Sequence, residues 1–98
     1  MFKKIRPLNG PLTRQALRDW LISDLAVRVA LAPTEIDPDR AFEEYGLDSR
    51  VALQVSGSLA RLVDRRLPPG LLYEHQTVNA VTHHLGEKLG LPETTSPA

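Results

Sequence analysis

The chain has 98 residues, enough for one domain with a single modest core and too few for two. Twelve basic residues balance twelve acidic ones, so no global field gathers nucleic acid or an anionic membrane. Cysteine is absent, which excludes a disulfide framework, a thiolate metal site and a cysteine nucleophile.

Residues 1–12 are rich in Pro and Gly without periodicity and read as an N-terminal linker; residues 13–90 read as the domain and 91–98 as a C-terminal tail. Lys3, Lys4 and Arg6 are followed by Pro7, Asn9, Gly10 and Pro11, where a secretory signal needs an apolar core. Leu17 to Leu31 is too interrupted by Arg18, Asp19, Asp24 and Arg28 to span a membrane. The expected location is the cytoplasm.

The spacing predicts an all-α fold, a small bundle of three main helices and one short one. Thr13 is the expected N-cap of the first helix, where Leu17, Leu21, Leu25 and Val29 recur every four residues, widened by Trp20, Ile22 and Ala26, and Pro33 is its expected stop. From there to Asp48 no period is sustained, so a long loop is expected, pinned by Ile36, Phe42, Tyr45 and Leu47. The second helix starts at Asp48 or Ser49 and runs to about Arg66, with Ala52, Leu53, Leu59, Leu62 and Val63 as core residues and Pro68-Pro69-Gly70 beyond its end. A short helical turn, Leu71 to Glu74, follows. Thr77 then caps a last helix with Val78, Val81 and Leu85 on one face, and Gly90 and Pro92 stop it.

At Glu44-Tyr45-Gly46-Leu47-Asp48-Ser49-Arg50-Val51-Ala52-Leu53 the sequence resembles the phosphopantetheine attachment site of acyl carrier proteins. Ile36-Asp37-Pro38-Asp39 with Phe42 is similar to the family's first loop, and Leu67 to His75 with Thr77-Val78 to its segment between the second and fourth helices. The resemblance runs from about Leu17 to Leu89. It implies an acyl-carrier-like bundle that is no enzyme. It implies a 4′-phosphopantetheine arm transferred from coenzyme A to Ser49 by a phosphopantetheinyl transferase with a divalent metal, and Asp48 supporting that attachment. The residues agree with this: a serine at the first turn of a helix after a long loop is exposed, and a phosphodiester there meets the positive end of the helix. Asp48 is also a helix N-cap, Gly46 allows a tight or positive-φ turn, and Leu47 anchors the loop. Further implied partners are an acyl-activating ligase or acyltransferase and a ketosynthase or other assembly-line enzyme, with no nucleic acid or membrane, the isolated domain being a monomer.

Three features depart from the family or refine the expectation. Arg50 stands where an apolar residue is usual; a cation in a helix's first turn costs a few tenths of a kcal/mol unless it meets an anion such as Asp48, Glu44 or the phosphodiester. Ser56-Gly57-Ser58 lies inside a helix, and with Ser56 seven residues after Ser49 the small residues are expected to form a shallow docking trough on the same face as the arm. Arg50, Ser56 and Gly57 are thus the candidate partner-docking residues. Val51-Ala52-Leu53-Gln54-Val55-Ser56-Gly57-Ser58-Leu59 is similar to carriers loaded by fatty acyl-AMP ligases, implying a fatty or other carboxylic acid as starter in a polyketide or lipid pathway. Peptidyl carriers usually show a second glycine before the serine, so amino-acid cargo ranks lower. Free-standing fatty acid carriers are acidic along the second helix, whereas this one ends in Arg61, Arg65 and Arg66.

His75, His83 and His84 lack a carboxylate at ligand spacing, and no metal site is expected; adjacent histidines on a helix point about 100° apart. No nucleophile–base pairing or phosphate-cradling glycine loop is present. A cofactor-free helical interaction module is the alternative, in which Ser49 only starts a helix and Gly46 only makes a turn.

Overall fold

The computed structural model describes residues 12–94. The chain forms α1 (Arg14–Val29), α2 (Ser49–Val63), α3 (Leu71–Glu74) and α4 (Val78–Leu89), with two 3-10 turns, Pro33–Glu35 and Phe42–Tyr45, in the loop between α1 and α2. Among the described residues there is no strand, and no helix is long and apolar enough to cross a membrane. The linker expected at residues 1–12 and the end of the expected tail lie almost wholly outside the described residues.

Each main helix is started by the residue its sequence offers. The Thr13 hydroxyl accepts the Ala16 amide at 3.0 Å and the Thr77 hydroxyl accepts the Ala80 amide at 3.0 Å, satisfying amides that have no partner inside the helix. The apolar stripes then meet. Leu17, Leu21 and Leu25 of α1, Val55 and Leu59 of α2, Leu71 of α3, and Val78, Val81 and Leu85 of α4 are all fully buried. At roughly 1.5–3 kcal/mol per buried large aliphatic side chain, this shared core is the main source of stability. The α1 helix packs most extensively on α4.

Two helix ends differ from expectation. The first helix stops at Val29, ahead of Pro33, because Ala30 turns left-handed at φ 60° and the amides of Ala30 and Leu31 fold back onto the last carbonyls. The second stops at Val63, because Asp64 does the same at φ 55°. Glycine is the usual residue there, so neither end is marked in the sequence. Leu53, expected in the core, is 51% exposed. It lies on the far side of α2 from Ala52, Val55 and Leu59, whose positions define the buried stripe.

Past α4 the chain folds back. Gly90 ends the helix at φ 66°, and the carbonyls of Pro92 and Glu93 accept the first α1 amides, those of Arg14 and Gln15, at 2.8 and 2.9 Å. Arg14 crosses Gly86 to reach the Leu91 carbonyl at 3.0 Å and the Glu87 carboxylate at 3.0 Å. A Cβ on Gly86 would lie 2.5 Å from the Arg14 guanidinium, so this crossing needs a glycine. The Arg14 hydrogen bond and charge hold the Glu87 carboxyl below its ordinary range.

The His75 ring, just past α3, stacks on His84 of α4 with centroids 4.1 Å apart and planes 21° apart. Burial, then His75 and then Lys88 keep the His84 imidazole below its ordinary pKa of 6.5; Glu74 opposes this and His83 adds to it. The folded chain therefore binds fewer protons at His84 than the unfolded chain. This makes stability full above pH 6.5 and lowers it as pH falls through the folded pKa. Urea midpoints at about pH 7.5 and about pH 5.5 should differ in that direction, and His84→Gln should shrink the difference. Ser56 and Thr82 are buried with side-chain oxygens that have no partner among the described residues. Ser56→Ala removes an unpaired hydroxyl and adds helix propensity, so its urea midpoint should rise, by about 0.5–2 kcal/mol in stability.

Candidate functional site

The end of the bundle at which α2 begins is held by the loop before it. Ile36 and Phe42 are buried and anchor the loop in the core. Its backbone is tied to the α3–α4 junction: the Phe42 amide donates to the Gln76 carbonyl at 2.8 Å and the Asn79 amide to the Pro38 carbonyl at 2.9 Å. The Asn79 side chain donates to Asp39 at 2.7 Å and accepts from Arg18 at 3.0 Å, joining loop, α4 and α1. The Tyr45 hydroxyl accepts the Asp37 amide at 2.6 Å and donates to the Asp37 carbonyl at 3.2 Å, closing the loop on itself. Neither Asn79 nor Gln76 stood out in the sequence, where each reads as a polar residue near a helix cap.

The turn into α2 follows from three residues. Gly46 ends the 3-10 turn at φ 80°, with its amide on the Glu43 carbonyl at 3.0 Å. No atom would crowd a side chain there; the positive φ is what calls for glycine. Leu47 is half-buried against the core. Asp48 is the N-cap, its carboxylate accepting the Val51 amide at 3.0 Å and its carbonyl the Ala52 amide at 2.9 Å.

Ser49 is the first residue of α2 and is exposed. Among the described residues no hydrogen bond ties up its hydroxyl, and the neighbouring carboxylate is committed to its cap. The site therefore offers a reachable hydroxyl that no side chain of the described residues engages. The amides of the first turn give it a positive setting suited to a bound phosphate, worth about 0.3–1 kcal/mol for an exposed anion. These residues fit a phosphopantetheine group. A small cleft of ≈ 100 Å³ opens beside it, lined by Ala41, Phe42, Leu47, Ala52, Leu72 and Tyr73 with Glu43 and Gln76 at its polar edge.

Of the expected docking residues, Arg50 and Gly57 are exposed, and no atom lies within 4 Å of a Cβ built on Gly57. Ser56 is 5% exposed. The trough expected around it is absent, because the shared direction of Ser49 and Ser56 points into the bundle two turns below the helix start. The same direction is open at Ser49, where α2 has only begun. Neither carboxylate expected to relieve Arg50 pairs with it among the described residues: one Asp48 oxygen caps the helix and Glu44 lies 3.7 Å from Arg40. Among the described residues no group of three or more His, Asp or Glu is placed to hold a metal ion. Gly46→Ala should cost about 1 kcal/mol through the positive φ alone, measurable as a lowered urea midpoint with no change in helix content.

Residues 19–85 match the family model described as the phosphopantetheine attachment site. The chain is 34% identical over 88 residues to a phenolphthiocerol/phthiocerol polyketide synthase of Mycobacterium tuberculosis, covering 89% of this chain and 5% of that protein. It is 36% identical over 66 residues to the pikromycin polyketide synthase component PikAIII of Streptomyces venezuelae, covering 67% of this chain and 4% of that one. The chain thus spans only a small fraction of these relatives. Among solved structures, a free-standing peptidyl carrier protein of Acinetobacter baumannii is similar with TM-score 0.74 and 38% identity, over 79% of this chain and 96% of that one. An acyl carrier protein of Anabaena sp. PCC 7120 with a variant phosphopantetheinylation-site sequence is similar with TM-score 0.75 and 26% identity, over 89% and 98%. The chain belongs to the phosphopantetheine-attachment family, whose members bear a covalent 4′-phosphopantetheine, and is a non-catalytic carrier domain similar to those of polyketide synthases.

Proposed function

We propose that Ser49 is the attachment point of the 4′-phosphopantetheine arm and that the domain carries acyl intermediates between assembly-line enzymes in the cytoplasm. The observation that carries this reading is the exposed Ser49 hydroxyl at the first position of α2, directly after a side-chain-capped Asp48. When bound, the arm supplies a thiol that holds acyl groups as thioesters. The chain's residues do the positioning. Asp48 and Gly46 fix the helix start so that the hydroxyl faces solvent, and the first-turn amides face the phosphodiester. Among the described residues no side chain hydrogen-bonds the Ser49 hydroxyl, and the carrier reading leaves removal of its proton to the transferase. The lack of cysteine leaves no second thiol in the chain to take the acyl group by exchange.

Polyketide cargo is the first reading, supported by the polyketide synthase relatives. A carboxylic acid delivered by an acyl-AMP ligase, or a place in fatty acid or lipid synthesis, is the finer version, supported by the stretch from Val51 to Leu59. Amino-acid cargo is the second reading, favoured by the similarity to the peptidyl carrier structure.

Incubating the chain with coenzyme A, magnesium and a broad-specificity phosphopantetheinyl transferase, then weighing the intact protein, tests the attachment. The expected result is a gain of one phosphopantetheine that disappears in Ser49→Ala and persists in Ser56→Ala. An unchanged mass with several transferases would favour the cofactor-free interaction module.

A further inference from the structure

The outer side of α1 carries an apolar strip that the described residues leave uncovered. Leu17, Leu21 and Leu25 turn one side of this helix into the core. At about 100° per residue, Ala16, Trp20, Ser23 and Val27 lie within about 60° of one another and away from those leucines. Val27 is 82% exposed, and Leu31, just past the helix, is 38% exposed. Trp20 packs against the core and is still partly open to solvent. Fold stability gives no reason for a valine at position 27, since its exposure leaves it out of the core and its branched Cβ lowers helix propensity.

Residues 1–11, which lead directly into α1, match this strip in charge, spacing and length. They hold Lys3, Lys4 and Arg6 and no acid, whereas residues 12–94 hold nine Lys and Arg against twelve acids. The cations of α1 are already taken, Arg14, Arg18 and Arg28 pairing with Glu87, Glu93 and Asp24. Asp19 beside the strip and Glu35 beyond its far end are exposed, with no cationic partner among the described residues. No helix or strand period runs through residues 1–11, but Phe2, Ile5 and Leu8 recur every three residues, the repeat that lines up one edge of a polyproline II chain. Asn9-Gly10-Pro11 is turn chemistry, at which the chain can reverse beside the start of α1. Four residues, about 12 Å, separate Leu8 from Leu12, and Trp20 lies about 10 Å along the axis from Thr13. Ile5 then falls about 9 Å further on, against about 10 Å from Trp20 to Val27, and Phe2 about 9 Å beyond that, past the helix end where Leu31 is exposed.

We infer that residues 2–8 fold back along the outer side of α1, with Leu8 on Trp20, Ile5 on Val27, Phe2 on Leu31, and Lys3, Lys4 and Arg6 toward Asp19 and Glu35. The short connection selects this occupant, because a tether of a few residues holds the segment at an effective millimolar concentration beside the strip. A second copy docked by the same strip would bring the same acids to the interface and no free cation to meet them. Whatever approaches α1 then meets the segment in place of Val27 and Leu31. The inference goes beyond the carrier reading and holds whatever Ser49 bears.

The absence of cysteine makes the test direct, because Lys4→Cys gives the full chain a single thiol for a nitroxide label. In the ¹⁵N-labelled protein, broadening should centre on the amides of Ser23 to Leu31, which should lose at least about twofold more intensity than those of Arg14 to Ala16, nearer in sequence. Adding Val27→Glu, at an exposed position, should move the broadening back to the start of α1, and high salt should weaken it at the strip. A mixture of spin-labelled ¹⁴N chain and unlabelled ¹⁵N chain should leave the strip unbroadened. Without the label, Ile5→Ser/Leu8→Ser should shift the emission of Trp20, the single tryptophan, to longer wavelength. Broadening centred at the start of α1 or on another helix, broadening unmoved by Val27→Glu, or broadening passed to the ¹⁵N copy in the mixture, which would make a second copy the occupant, would overturn the inference.

Discussion

The functional end of this molecule depends on the anchoring of the loop between α1 and α2. Burial of Ile36 and Phe42, with the Phe42 amide on the Gln76 carbonyl and the Asn79 amide on the Pro38 carbonyl, converts an aperiodic segment into a fixed strut. Without it the start of α2 would be free to fray, since a helix nucleus is unfavourable and its first amides need outside partners. With it, Gly46 turns the chain, Asp48 caps it, and Ser49 is delivered to the same place in every molecule. The core supplies the rigidity and the loop directs it at one hydroxyl.

The same arrangement explains why chemistry at Ser49 is left to others. An exposed hydroxyl that no side chain of the described residues engages is easy to reach and is not activated from within. That combination suits a residue that another enzyme modifies. The chain's own electrostatics are divided in the same way. Ion pairs close α1 onto α4 and the chain beyond it, while the exposed arginines of α2 have no carboxylate partner among the described residues.

Much of this was legible in the residues. The caps Thr13 and Thr77, the four-residue leucine period of α1, the glycine after α4 and the helix start at Ser49 each rest on local chemistry that a sequence displays. What was illegible depended on depth or on conformation without a marker. Ala30 and Asp64 end helices in a left-handed geometry that glycine would have advertised. Leu53 and Ser56 exchanged roles: apolar character predicted burial for the leucine and small size predicted a surface trough for the serine, but their angles around α2 put the leucine outside and the serine inside. Angular position relative to Ala52, Val55 and Leu59 carries that information, and residue type obscured it. The Arg14 crossing over Gly86 joins residues far apart in sequence, so no local pattern announces it.

The most direct measurement takes advantage of Arg40 and Arg50 themselves. Trypsin cleaves after both and releases residues 41–50, a peptide with Ser49 as its single serine and Tyr45 as its only other side-chain hydroxyl. Fragmentation of this peptide from the transferase-treated protein should eject the pantetheine group and localise the phosphate to Ser49. A peptide that stays unmodified while the arm appears on residues 51–61, which contain Ser56 and Ser58, would contradict the assignment.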